Sequence, residues 1–380
     1  MHTTIYDVVN ELYKAFLSDF INEESEQKAD KIRKQLDRLK KEEGSLAKEL
    51  REFTSMLEKY LTKEFTNREI TDTVLEFIKQ VTSSYIDSVW NDFNYEYSVE
   101  ENRAYFWKLV TERYYIERKS DTGEILKAND NSFFALTYNL NLKKFGISSP
   151  ERIEDLFKNT TPRNLKRWRT GDTLPNSYIA IKEDLETLYT KEKLTLEEID
   201  ELNFLVYFSL AISRLRSQSK KVKRYLPQFI EGEFNEYERY IRRIIEYPSD
   251  TCNKMRFERC SEKKEENETL ESMRLFFCGL YKYFYSDFQD AQNFLFDAFE
   301  LGRYHIGPWV KYLILYLLHC CNRNDDKKNF SKVFNWYHFI GDNNFVEETG
   351  ETDSLEKQWD KLSKLVIPAQ MYIDGKNTIK

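Results

Sequence analysis

The sequence predicts an all-α protein made of several helical parts. Three observations carry that expectation. Glycine and proline are scarce, at 11 and 7 residues in a chain of 380, and a fold rich in strands needs more turn residues than this. A seven-residue apolar rhythm runs through the charged segment near the N-terminus. Helix-start signals recur along the chain: a hydroxyl residue followed by proline, or by glutamate three places on.

The chain is long enough for two or three domains, and its 41% apolar content supports a substantial core. An opening helix is expected over 5–21. After it, Ala29, Ile32, Leu36, Leu39, Leu46, Leu50, Phe53, Leu57 and Tyr60 fall on the a and d positions of a heptad. One continuous helix would make a coiled coil, within or between chains. A break at Gly44, with Ser45 capping a new helix, would make a helical hairpin. The heptad phase survives the glycine, which favours one long helix. A long amphipathic helix lying on its own domain's core is the plainer alternative.

Amphipathic, aromatic-rich helices continue to 118. The polar stretch KSDTGEILKANDN at 119–131 reads as a domain boundary. This divides the chain into an N-terminal helical and coiled-coil region (1–118), a central helical domain (132–225) and a C-terminal region (226–380). Further charged breaks stand at 260–268 and 322–329.

The stretch TPRNLKRWRTGDTLPN carries four basic residues and one tryptophan. Ser149-Pro150 and Thr161-Pro162 are twin helix starts, and the second helix is expected to run to Thr170 and stop at Gly171. Two short helices joined by a three-residue turn form a helix-turn-helix arrangement. On the helical wheel Leu165 and Trp168 face inward, while Arg163, Lys166, Arg167 and Thr170 face out beside Asn164. An acid-free basic face is what a helix needs to meet phosphates and base edges. Asn176 or Ser177 would cap the next helix.

These residues resemble the second half of a Cro-type (XRE-like) helix-turn-helix, in which an apolar residue, a Trp, a Gly and a Pro recur in this order, here Leu165, Trp168, Gly171 and Pro175. The likeness covers roughly 147–188, and the turn glycine usual in that family is Asn159 here. It implies base or phosphate contact by Arg163, Lys166 and Arg167, with DNA as the partner. A solvated helix face is the alternative. A second basic run, RLRSQSKKVKR at 214–224, holds six cations and no acid, including Lys220, Lys221, Lys223 and Arg224. It reads as a phosphate-binding strip, or as a helix end whose cations complement the dipole. The net charge of −7 confines any nucleic-acid contact to such local patches.

In the C-terminal region Gly279, Ala291, Leu295 and Ala298 have the spacing of a tetratricopeptide helix pair, and Trp309 lies 34 residues after Leu275. This part resembles tetratricopeptide repeats, which implies a surface for a protein or peptide partner. An ordinary helical bundle is the alternative.

The chain offers no P-loop, GxSxG, HExxH or GxGxxG. Its four histidines lack the arginine spacing of the HEPN ribonucleases. His319-Cys320-Cys321 lies in an apolar run and reads as core packing rather than metal ligation. Five cysteines without a CxxC suggest free thiols in a cytoplasmic protein. The longest apolar run, 310–321, is too short to span a bilayer. No metal, cofactor or membrane association is expected. The resulting expectation is a non-enzymatic nucleic-acid-associated regulator or adaptor that assembles through its N-terminal and C-terminal parts. The alternatives are a protein-interaction scaffold, or a toxin or effector enzyme with an unrecognised site.

Overall fold

A computed structural model describes residues 4–21, 26–42, 46–91, 133–144, 160–217 and 231–341, together with Trp107 and Trp359. The described residues are all-α and contain no strand. The first helix, α1 (Ile5–Phe16), starts at a capping box: the Asp7 backbone N–H donates to Thr4 Oγ1 at 3.3 Å and the Thr4 N–H donates to the Asp7 carboxylate at 2.9 Å. Its apolar stripe of Ile5, Val8, Val9, Leu12, Ala15 and Phe16 is buried. A single turn, α2 (Ser18–Ile21), then precedes α3 (Glu26–Lys40), α4 (Leu46–Glu64) and α5 (Arg68–Asn91).

The long helix expected over 25–61 is instead two helices. α3 ends at Lys40, and Glu42 takes a left-handed φ of 55°, a conformation that an unbranched residue adopts in a turn but that no helix continues through. α4 then packs back on α3. Gln35 donates to the Glu49 carbonyl at 2.6 Å, and Arg38 forks onto the Glu49 carboxylate at 2.8 and 3.0 Å. The heptad residues Ile32, Leu39, Leu46, Phe53, Leu57 and Tyr60 are buried in the chain's own core, with Leu36 and Leu50 packed against it. These a and d positions therefore serve an internal hairpin.

The central helices are α6 (Phe133–Lys144), α7 (Pro162–Thr170), α8 (Tyr178–Glu192) and α9 (Leu196–Ser217). α9 begins at the expected Thr195–Glu198 capping box and runs through the middle of the molecule. Its Tyr207 hydroxyl donates to the Phe16 carbonyl at 2.7 Å, and its Phe208 ring lies 5.9 Å from Phe16 and 5.5 Å from Phe77 of α5. Asp200 accepts from the Thr66 and Asn67 backbone N–H groups at 2.7 and 3.2 Å, at the start of α5. The N-terminal and central helices thus share one core. The stretch expected to be a boundary, 119–131, lies outside the described residues.

The C-terminal region stacks three helical hairpins: α10 (Glu231–Glu246) with α11 (Cys252–Glu262), α12 (Glu268–Phe284) with α13 (Phe288–Gly302), and α14 (Trp309–Arg323) with α15 (Lys327–Gly341). Each of the second and third hairpins packs on the one before it. α12 and α13 approach closely at Gly279, where a Cβ would stand 2.6 Å from Leu295 Cγ and 3.2 Å from the Leu295 backbone nitrogen. Ser272 bridges the same pair by donating to the Ala298 carbonyl at 2.8 Å.

The 34-residue register from Leu275 to Trp309 is not the structural one. Trp309 opens α14, and the equivalent opening residue is Glu268, not Leu275 in the body of α12. The charged break at 322–329 is the α14–α15 turn with the flanking helix ends. There Asn324 donates to Phe288 O and Gln292 Oε1, and Asp326 accepts from Gln292 at 2.6 Å.

The stack touches the N-terminal part at a second place. Glu42, at the tip of the α3–α4 hairpin, accepts from the Tyr304 hydroxyl and lies 3.5 Å from Arg303. Trp336 donates to the same Tyr304 hydroxyl at 3.2 Å, and its indole lies 5.9 Å from that of Trp90 at the end of α5.

Two outcomes follow from this packing. Gly279→Ala is expected to destabilise the protein by about 1–3 kcal/mol through overpacking. In a Leu295→Ala background the same change is expected to cost far less, so that urea unfolding of the four proteins shows strong coupling between the two sites. The second concerns His305, which is 4% exposed and donates from Nε2 to the Leu301 carbonyl at 2.7 Å. Burial lowers its pKa from the usual 6.5 to about 4. Between those values the unfolded chain binds a proton that the fold excludes, so stability present at pH 7 is lost as the pH falls from 6.5 towards 4, by about 3 kcal/mol in all. A His305→Asn protein is expected to lose that part of the pH slope in denaturation midpoints measured from pH 7 to pH 4.

Candidate nucleic-acid interface

α7 is short, at nine residues, and both its ends are secured by sequence. Thr161 Oγ1 accepts from the Asn164 backbone N–H at 3.3 Å, Pro162 occupies the first turn, and Gly171 closes the helix with φ 76°. That left-handed conformation suits glycine because other residues carry a Cβ that crowds there. The Gly171 N–H reaches back to the carbonyls of Arg167 and Trp168. Just before the helix, Thr160 donates to the buried Asp184 carboxylate of α8 at 2.5 Å. Of the two candidate caps for α8, Ser177 is the one used, accepting from Ile179 N–H at 3.2 Å.

The two faces of α7 divide as the wheel predicts. Leu165 is completely buried. Arg163, Asn164, Lys166, Arg167 and Thr170 are exposed. Among the described residues, Arg163, Lys166 and Arg167 make no ion pair within hydrogen-bonding reach. Arg169 points elsewhere: its Nε donates to Asn139 Oδ1 at 3.1 Å while Asn139 Nδ2 donates back to the Arg169 carbonyl at 3.0 Å, which fastens α7 to α6. The fourth cation of the stretch is therefore spent on structure.

Three details depart from the sequence reading. Trp168 is half-buried; its ring meets Phe134 and Tyr138 edge-on at 6.4 and 6.5 Å and keeps one side in solvent. The Thr170 hydroxyl lies near the carbonyls of Lys166 and Arg167 and donates to Asp172 at 2.7 Å. That exposed carboxylate closes the basic face at its C-terminal end, so the face is free of acid only within the helix. Third, Arg214, which opens the second basic run, points inward. Its guanidinium meets the buried Asp19 carboxylate at 2.7 and 3.2 Å and donates to the carbonyls of Ala15 and Asn176. Lys220, Lys221, Lys223 and Arg224 lie outside the described residues, and so do 150–158, the expected first helix of the motif.

His319 and four of the five cysteines are placed in the core. His319 Nδ1 lies 2.7 Å from the buried Tyr283 hydroxyl, between the rings of Phe288 and Tyr283, and burial lowers its pKa. Cys260, Cys278, Cys320 and Cys321 are buried, and desolvation raises the thiols of Cys260 to about 11 and of Cys278 and Cys321 to about 12. A thiol held protonated is a poor nucleophile and a poor metal ligand. Among the described residues no three His, Cys, Asp or Glu side chains gather as a metal site, and no helix is long and apolar enough to cross a membrane.

No protein-family model matches the chain, and neither a curated protein nor a solved structure matches it.

Half-burial sets the stability cost of losing the tryptophan. Trp168→Ala is expected to cost about 2 kcal/mol in urea unfolding, below the 3–5 kcal/mol of a fully buried indole, and to leave the far-ultraviolet circular dichroism unchanged.

Proposed function

We propose that this protein is a non-enzymatic, nucleic-acid-associated regulator or adaptor. α7 would present Arg163, Lys166 and Arg167 to phosphates and base edges, and the stacked C-terminal hairpins would hold a protein or peptide partner. The observation that carries the reading is the state of those three cations. They project from one face of a helix capped at both ends, fastened to α6 through Arg169 and Asn139, and they have no acidic partner among the described residues. Cations held apart from carboxylates on a rigid helix lose little freedom when a phosphate arrives. DNA is the partner that the helix-turn-helix likeness suggests. Asn164, exposed one residue after Arg163, adds an amide suited to a base edge.

A second reading has its own observation. The carboxylate of Asp172, held against Thr170, mixes the charge at one end of the face, which suits a protein surface better than a polyanion. In that reading the molecule is a scaffold whose basic face meets an acidic partner.

The Arg163/Lys166/Arg167→Ala protein separates the two. Because all three side chains are exposed, its unfolding free energy should stay within about 1 kcal/mol of the parent. Its affinity for duplex DNA should drop at least tenfold, and the slope of log affinity against log salt should flatten by roughly one unit for each phosphate contact removed. If the folded variant binds duplex as the parent does, the nucleic-acid reading of α7 fails and the scaffold reading takes its place.

A further inference from the structure

The helical hairpin contains a cleft that the heptad pattern conceals. It has a volume of about 820 Å³ and lies along α4 with one wall from α3. Lys48, Arg51 and Lys59 of α4 and Lys31 of α3 line it, and all four are exposed. Among the described residues none of the four is in an ion pair. Among the described residues the lining has one acid, Glu52, and Arg38 already stands 3.5 Å from its carboxylate. The described lining is therefore cationic in net terms.

Spacing says what kind of anion it suits. Lys48, Arg51, Ser55 and Lys59 recur at intervals of three or four residues, so they occupy a sector of about 80° on α4. At about 1.5 Å per residue the row is about 16 Å long; its cations stand about 4.5 and about 12 Å apart along the axis, with Ser55 between Arg51 and Lys59. A compact anion such as inorganic phosphate calls for cations that converge on one point. These are set out in a line. Along one nucleic-acid strand in a stacked helix the phosphates come about every 3.4 Å, and they lie farther apart as the strand is drawn out, so three α4 cations can each meet a separate phosphate. Beside the row, Met56 is half-buried and the Tyr60 ring is stacked on Phe20 with centroids 5.8 Å apart and planes 3° from parallel. They give the cleft a fixed apolar wall. A positive groove that follows the backbone beside apolar and aromatic surface is how single strands are held without base readout.

We propose that the α3–α4 cleft binds the sugar–phosphate backbone of single-stranded nucleic acid, with Lys48 and Arg51 on neighbouring phosphates, Lys59 on a phosphate farther along the strand and Lys31 closing from the opposite wall. The inference does not depend on α7, since it rests on different residues and a different ligand form.

The test uses the full chain and fluorescence anisotropy with labelled 15-nucleotide single strands, oligo(dU) and oligo(rU), and with a duplex of the same length, over a salt series. Lys48/Arg51/Lys59→Ala, all surface changes, is expected to keep the parent's unfolding midpoint. It should lose at least tenfold in affinity for the single strands, with the salt slope reduced by about two units for three contacts, and bind the duplex as the parent does. The α7 triple variant is expected to show the converse pattern. The proposal is overturned if the parent fails to bind the single strands at low salt, or if the cleft variant binds them unchanged. It is also overturned if poly-glutamate occupies the cleft as tightly as the oligonucleotides, which would make the ligand an acidic protein. Loss of single-strand binding in the α7 variant alone removes this proposal and leaves α7 as the nucleic-acid contact.

Discussion

The arrangement of this protein depends on α9 being able to satisfy polar groups inside a dry aromatic core. α1 ends at Phe16, and the last carbonyls of any helix lack partners within it. Tyr207 supplies one from the middle of α9, where its hydroxyl is fully buried and desolvation raises its pKa well above the usual value. Seven residues on, two helical turns along the same side, Arg214 takes the Ala15 carbonyl and the Asp19 carboxylate. Between them the rings of Phe16, Phe77 and Phe208 fill the space that these polar contacts frame. A buried acceptor left without a donor costs about 1–3 kcal/mol, and a buried unpaired charge more. The joint between the N-terminal and central helices is therefore specific in register, where a purely apolar contact would tolerate sliding.

How far the sequence could be read follows from how local each signal was. The all-α class, both caps of α7, the inward Leu165 and the capping box of α9 depend on residues within four positions of each other, and the structure has all of them. The helical hairpin was harder. Its heptad phase is the same whether the seam meets another chain or folds back on itself, so Gly44, which marks the alternative hairpin, does not by itself decide between them. Arg214 is hidden for a related reason: its partner, Asp19, is 195 positions away, and composition alone places it in a cationic run. The repeat register shifted because Leu275 and Trp309 are alike in chemistry but stand at different depths in their helices.

The cleft on α4 illustrates the opposite case. Lys48, Arg51 and Lys59 are ordinary solvent-facing residues of a heptad, and as such they carry no signal. What makes them a set is the fold-back of α3, which brings Lys31 across from them and turns a convex helix surface into a concave one. The same fold-back uses Arg38 to neutralise Glu49 and to approach Glu52, so the carboxylates nearest the row are already engaged. On α4, then, the row owes part of its net charge to Arg38, which takes up the carboxylates beside it.

The contact between Trp90 and Trp336 has an optical consequence. These indoles lie 5.9 Å apart and 59° from coplanar, with Tyr337 5.7 Å from Trp90, at a junction where the end of α5 meets α15. Two chromophores held this close in a chiral setting couple their transitions, and fixed aromatic packing is what near-ultraviolet circular dichroism records. The junction between the amino-terminal helices and the carboxy-terminal stack thus carries a native chromophore pair. Its signal reports whether the two parts are docked, without a label and separately from helix content.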